Sequence, residues 1–280
     1  MYAETFEINK KVYVIWDNKI LNQGFGDKLR GSVTVYQLSK KLKFDMEVEI
    51  NNEIGMFLKN AKSSAHEIIK TLPATEIIVD KEIIVNKVPR WAASEIVTNY
   101  ITNEKDKKCL FMATNSIPED MSEDDKRFLR RLLVPNDRFV PEIDKATQQL
   151  PKNYTILHFR LGDNELHGRK NNEQKYETYL TMIQNKYSPT DVLVTDSTAF
   201  KKYVKDRVNI PTILCDGGDC KIFHTGESAF DYDSLKNSLI EFYVMTRAKK
   251  ITTHSVYDWP SNFVKWSSDV YNVPLESVKL

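Results

Sequence analysis

Nine glycines, ten prolines and three cysteines in 280 residues leave little room for several protein classes. No internal repeat or low-complexity tract is evident. The cysteines, Cys109, Cys215 and Cys220, are odd in number and lack the spacing and histidine partners of a metal site. Free thiols in a reducing compartment are expected, with a Cys215–Cys220 bridge around Gly217-Gly218 as the alternative. No stretch of 18 apolar residues occurs, so no membrane span is expected. The first twenty residues lack a basic start, an apolar block and a small-residue cleavage site, so no signal peptide is expected and a cytoplasmic location follows. Forty basic residues against 39 acidic ones give a net charge of +1, without the basic surplus of a nucleic-acid binder. What remains is a soluble globular chain, 41% hydrophobic and 28% charged, long enough for two small domains or one large one.

The residues that are present organise as alternating strands and helices. A β-rich run at 12–16 leads through a Gly-containing turn into a helical pattern ending near 43. A strand near 46–50, a helix near 61–71, β-rich runs at 77–79 and 83–85, and helical character over 92–102 follow. The acidic–basic run 119–131 reads as a solvated helix capped by Ser122. Residues 136–150, with Pro135, Pro141 and Pro151 in or beside them, read as a linker. The domains expected are therefore 1–150 and 151–280. In the second, strands at 154–159, 191–195, 212–215 and 250–253 alternate with helices at 173–187, 198–205, 233–247 and 260–271. Such alternation implies a parallel sheet covered by helices, with ligands at the carboxyl ends of the strands. Arg160, Asp196, Asp216 and Ser255 all fall just after those strands.

Arg160 ends the first strand of that half and enters Leu161-Gly162-Asp163. A guanidinium is a planar, permanently charged fork that grips a phosphate with two hydrogen bonds, and Gly162 lets a ligand come close. Pairing of Arg160 with a carboxylate such as Asp163 is the plainer alternative. Near the N-terminus, Gly24-Phe25-Gly26 lies between strand and helix, where backbone N–H groups face an anion. Leu29 stands where the dinucleotide fingerprint needs its third glycine, so NAD binding is not expected.

Four segments in order resemble one family. Gly24-Phe25-Gly26-Asp27-Lys28-Leu29-Arg30-Gly31 resembles the N-terminal glycine loop of the fucosyltransferase-like GT-B glycosyltransferases, and His158-Phe159-Arg160-Leu161-Gly162-Asp163 resembles their His-x-Arg-x-Gly-Asp signature. Thr195-Asp196-Ser197 after a strand is similar to a segment of protein O-fucosyltransferases. The stretch from Leu239 to Met245, with His254-Ser255-Val256-Tyr257, resembles the helix–strand–Ser loop closing the donor pocket. The chain also looks like short glycosyltransferases of large algal DNA viruses, whose glycans contain fucose and xylose. The resemblance is weak over 50–150.

The resemblance implies an α/β fold of GT-B type, with two Rossmann-like domains facing across a cleft, 1–150 on the acceptor side and 151–280 holding the nucleotide-sugar donor. It implies an inverting, metal-independent transferase moving a sugar from GDP-fucose or UDP-xylose to a glycan hydroxyl, with no cofactor beyond that co-substrate. Arg160 would hold the diphosphate, and His158 would bond the phosphate or the leaving sugar, unless it is a buried core histidine. Gly24, Phe25 and Gly26 would line the donor. Asp196 and Ser197 would face the base, the alternative being an N-cap. Ser255, the backbone amides of Val256 and Tyr257, and the helix start near Trp259–Pro260 would stabilise the departing diphosphate, with His254 also on the donor. The second Ser of the family loop is absent, and Tyr257 replaces its Phe. The base is expected at Asp27 or Asp163, with Glu165 also available, because Phe25 occupies the place of a Glu found in some O-fucosyltransferases. Asp231-Tyr232-Asp233 has the form of a metal-binding Asp-x-Asp, but Asp233 reads better as a helix cap, and no metal is expected. The rival reading is a non-catalytic nucleotide-sugar or glycan-binding protein on the same fold.

Overall fold

The strand–helix alternation of the sequence builds two separate parallel sheets. A computed structural model describes residues 10–21, 23–50, 53–62, 65–73, 76–80, 92–104, 107–161, 175–188, 190–213, 231–255 and 257–280. The chain divides into two compact units, Met1–Asn136 and Asp137–Leu280.

In the first unit β1 (Lys11–Trp16), α1 (Phe25–Leu42), β2 (Asp45–Ile50), α2 (His66–Thr71), β3 (Ile77–Asp80), α3 (Ala92–Asn103), β4 (Cys109–Thr114) and α4 (Glu123–Leu132) follow one another. The strands lie in the order β2-β1-β4-β3, every neighbouring pair parallel. Strand β4 is absent from the sequence reading. Its five residues from Leu110 onward are all buried, because it lies between β1 and β3 with both faces covered. A central parallel strand is a plain apolar run without alternation, and a short run of that kind does not announce itself. The expected cap of α4 is present: the Ser122 hydroxyl accepts from the Asp125 N–H, while the Asp125 carboxylate accepts from the Ser122 N–H. Helix α1 begins at Phe25, so Phe25, Gly26 and Asp27 form its first turn and only Gly24 is the N-cap. It then crosses the sheet so closely that a Cβ on Gly31 would stand 1.9 Å from the Thr114 carbonyl oxygen of β4.

The second unit runs through α5 (Val140–Gln148), β5 (Thr155–Arg160), α6 (Tyr176–Lys186), β6 (Asp191–Thr195), α7 (Thr198–Lys205), α8 (Tyr232–Met245), β7 (Ile251–Ser255), α9 (Asn262–Tyr271) and β8 (Leu275–Lys279). Its strands, all parallel, take the order β6-β5-β7-β8, and Thr212 bridges Leu193 beyond β6. With that bridge counted, the order is the Rossmann 3-2-1-4-5. Leu157, Phe159 and Leu193 pack with Tyr179, Leu180, Phe200 and Val204 of α6 and α7 on one face. On the other face the Tyr154 hydroxyl donates to the Val244 carbonyl of α8 at 2.7 Å. The stretch read as a linker forms α5, because Pro141 sits in its first turn, where no N–H is needed. Phe139 at its start packs edge-on against Tyr243 of α8 with ring centroids 5.9 Å apart.

The Gly31 contact gives a direct test of the first unit. Gly31→Ala must push α1 from β4, and overpacking of this kind costs roughly 1–3 kcal/mol or more. Gly55→Ala, whose Cβ would meet its nearest atom at 3.1 Å, should cost less. Urea unfolding midpoints of the two variants check the difference.

Candidate functional site

Arg160 is the last residue of β5 and lies in register with Ser255, the last residue of β7. Chain connections leave β5 toward β6 on one side and β7 toward β8 on the other, so the carboxyl ends of β5 and β7 flank the point where the sheet's winding reverses. A crevice for ligand forms at such a point. Side chains alternate across a strand, which puts His158 and Arg160 on the α8–α9 face and Phe159 on the α6–α7 face.

Three groups fix the guanidinium. Its Nη1 donates to the Ser261 hydroxyl at 3.0 Å, its Nε lies 3.8 Å from Asp196 Oδ2, and its carbon is 5.8 Å from the centroid of the Tyr257 ring. Ser261 is the N-cap of α9, so the Arg160 fork and the first amides of a ten-residue helix address the same place. Those amides have no partner within the helix and carry its positive dipole end. Beside them the buried Ser255 hydroxyl accepts from the Tyr257 N–H at 3.1 Å. A fixed cation, a helix N-terminus and a hydroxyl so placed have the chemistry that suits a polyanion. Ser261 was not among the expected site residues. A Ser following Pro260 at a helix start was its sequence signal.

Asp196 and Ser197 shape the loop after β6. Asp196 Oδ1 accepts from the Leu161 N–H at 2.7 Å, bracing the loop after Arg160, while Ser197 caps α7 by accepting from the Phe200 N–H at 3.2 Å. Bracing and capping are the roles that these contacts give the two side chains. Behind them, Lys201 of α7 and Glu241 of α8 form a buried ion pair at 2.5 Å. Burial pushes the Glu241 carboxyl up and the Lys201 ammonium pulls it back. Neither residue carries a sequence signal for burial.

No protein-family model and no curated protein matches the sequence. Solved structures do. A NodZ fucosyltransferase from Bradyrhizobium superposes with a TM-score of 0.57 at 12% identity, covering 95% of this chain and 94% of that one. POFUT1 in complex with GDP gives 0.56 at 10% identity over 97% and 98% of the two chains. A NodZ α-1,6-fucosyltransferase soaked with GDP-fucose gives 0.55 at 12% identity, covering 92% and 91%. The fold is that of the fucosyltransferase-like GT-B enzymes.

Within this GT-B fold two expected donor residues lie elsewhere. His158 is buried with its Nδ1 2.8 Å from the Thr253 hydroxyl, and burial, with the Arg160 charge, lowers its pKa to about 3. It is a core histidine of the β5–β7 contact. His254 points to the opposite face from Arg160, because it alternates with Ser255 along β7. There it stacks on Phe159 at 4.9 Å, bonds the Tyr187 hydroxyl through Nε2, and leaves Nδ1 buried without a hydrogen-bond partner among the described residues. Burial lowers its pKa to about 4.

In the first unit, the Phe25 ring packs edge-on to Trp16, with centroids 6.1 Å apart. Its side chain is core, so a ligand at the Gly24-Phe25-Gly26 turn would meet backbone. Asp27 lies in the first turn of α1, 3.6 Å from Arg30. Lys28, which was not expected in any role, is buried and donates to Asn18 Oδ1 at 2.7 Å and the Gln23 carbonyl at 3.1 Å, tying the β1–α1 turn together. Its pKa is lowered to about 8 by that burial, against the pull of Asp27, Asp17 and Glu53. Asp231, rather than Asp233, is the N-cap of α8 and accepts from the Ser234 hydroxyl, while Asp233 pairs with Lys236 at 3.2 Å. Asp163, Gly162, Glu165, Cys215, Asp216, Cys220 and Val256 lie outside the described residues.

The two buried imidazoles make stability pH-dependent. Both are held neutral when folded and take up protons near pH 6.5 when unfolded. Their stabilisation is complete above about pH 6.5 and is lost as pH falls toward the folded values, by up to about 1.4 kcal/mol per pH unit for each. The thermal midpoint should fall between pH 7 and 5, and less steeply in His254→Gln. Equal slopes in the two proteins would contradict this.

Proposed function

We propose that the chain is a glycosyltransferase that moves a sugar from a nucleotide-diphosphate donor to a hydroxyl of a glycan acceptor, with inversion and without a divalent metal. The observation that carries this reading is Arg160, held by Asp196 and Ser261 at the reversal point of a parallel sheet and aimed where the α9 N-terminus is aimed. In the reaction the acceptor oxygen bonds to the anomeric carbon, the bond from that carbon to the diphosphate oxygen breaks, and the electron pair leaves with the diphosphate. The acceptor proton passes to a base. Arg160 and the α9 amides would meet the growing charge on the leaving group, the task that a metal performs in other transferases.

GDP-fucose is the favoured donor, since solved structures sharing the fold were determined with GDP and GDP-fucose. UDP-xylose is the second candidate. Asp27 is assigned as the base: it is a partly exposed carboxylate in the first turn of the helix that opens the glycine motif. Phe25 favours the rival reading of a binding protein without catalysis, because its buried ring occupies the place where some O-fucosyltransferases have a Glu.

Thermal-shift and calorimetric titration with GDP, UDP, GDP-fucose and UDP-xylose test the donor, because a ligand that binds only the folded state raises its melting temperature. Arg160→Ala should weaken nucleoside-diphosphate binding by about 2–5 kcal/mol. Arg160→Lys should be nearly as poor, since an ammonium lacks the planar fork. Transfer should persist in EDTA. Unchanged nucleotide affinity in Arg160→Ala would remove the site.

The base has its own test. Asp27→Asn should lower turnover by roughly 10²–10⁴-fold while leaving donor affinity near wild type. Wild-type turnover in this variant, with loss in Asp163→Asn, would transfer the role to Asp163. Nucleotide-sugar binding with neither transfer nor slow hydrolysis would favour the binding-protein reading.

A further inference from the structure

Trp259 is 55% exposed, ahead of Met56 and Ile68 at 52% and Tyr232 at 48%. Single exposed apolar residues are ordinary. This one differs in how it is held and where it lies. Its ring is stacked nearly parallel on Tyr257, with centroids 5.4 Å apart and planes 19° apart, and Tyr257 is itself buried. One face of the indole is thus covered and its orientation fixed, so its exposure is concentrated on the other face. Tyr257 in turn lies beside the Arg160 guanidinium. The series guanidinium, phenol, indole therefore starts at the candidate anion site and ends at the surface.

The loop that carries Trp259 joins Ser255 to Ser261, and both of its ends belong to that site. Strand order gives it a side. Asp196, after β6, lies to one side of Arg160, and the β7–α9 loop lies to the other. A nucleotide-diphosphate sugar with its diphosphate on Arg160 and its nucleoside toward β6 sends its sugar end toward Trp259.

We propose that the outer face of Trp259 is a stacking platform for a sugar ring of the acceptor, an inference that rests on the transferase reading above. A pyranose offers one face of C–H groups, and a flat aromatic ring covers that face through dispersion and burial of apolar area. Hydroxyls at the ring's rim need polar neighbours, which Asp258 and Lys279, paired beside Trp259, supply from exposed positions. The donor sugar is bonded to the diphosphate and stays by Arg160, whose side chain is 19% exposed. A platform at the outer end of the series suits the incoming molecule.

The test uses a microarray of neutral oligosaccharides probed with the full chain in the presence of GDP, together with calorimetric titration of GDP alone. Wild type should retain a subset of glycans. Trp259→Ala should lose them by at least tenfold, Trp259→Phe should keep them within about threefold because the flat face survives, and GDP affinity should stay within twofold in both. Substitution at so exposed a side chain should leave the melting temperature near wild type, which is checked alongside. No glycan retained by wild type, equal retention by Trp259→Ala, or a fall in GDP affinity with it, which would mark the platform as a base site, each overturns the proposal. Failure of wild type to bind GDP, UDP or either sugar nucleotide is a different result and removes the transferase reading itself.

Discussion

Arg160 depends on the pairing of β5 with β7, strands nearly a hundred residues apart that lie side by side and in register from Ile156–Ile251 to Arg160–Ser255. That register sets three things together. It brings Ser255 level with Arg160, joins His158 to Thr253 two residues deeper, and sends the chain from β7 through Tyr257 and Ser261 back over the guanidinium. A slip of one residue would turn Arg160 into the α6–α7 core. The buried His158–Thr253 bond opposes such a slip, since a buried polar group that loses its partner costs free energy.

Charge is managed in layers around that arginine. Asp196 touches both the guanidinium and the Leu161 amide, so one carboxylate orients the cation and shapes the loop beyond it. Deeper still, Lys201 and Glu241 bridge α7 and α8 with both side chains 2% exposed. A buried pair of this kind adds little net stability. Loss of either partner would leave the other charge buried and uncompensated, at a cost of about 3–5 kcal/mol.

The first unit solves a similar problem by close approach. Gly31 lets α1 lie against the carboxyl end of β4, the Trp16 indole donates to Ser32 at 2.8 Å, and Thr34 donates to the Ser116 carbonyl. Lys28 then closes the β1–α1 turn from beneath. The glycine motif is accordingly a helix start clamped to a sheet, with its aromatic member inside.

The sequence by itself determined the class of the fold, the strand-end arginine and most elements of the second unit. Strand 191–195 and helix 198–205 were legible to the residue, because a buried run followed by Ser197 as a cap is a local signal. The Ser122 cap was legible for the same reason. Motif resemblance pointed to the GT-B fold through residues lying at strand ends and helix starts. What tertiary structure alone decided were relations between distant residues. They include the burial of β4, the face on which His254 lies, the burial of Lys201 with Glu241, and the use of Ser261 to hold Arg160. Local sequence encodes propensity and caps. The neighbour of a strand and the direction of a side chain are set by sheet order and register, which depend on the packing of the whole unit.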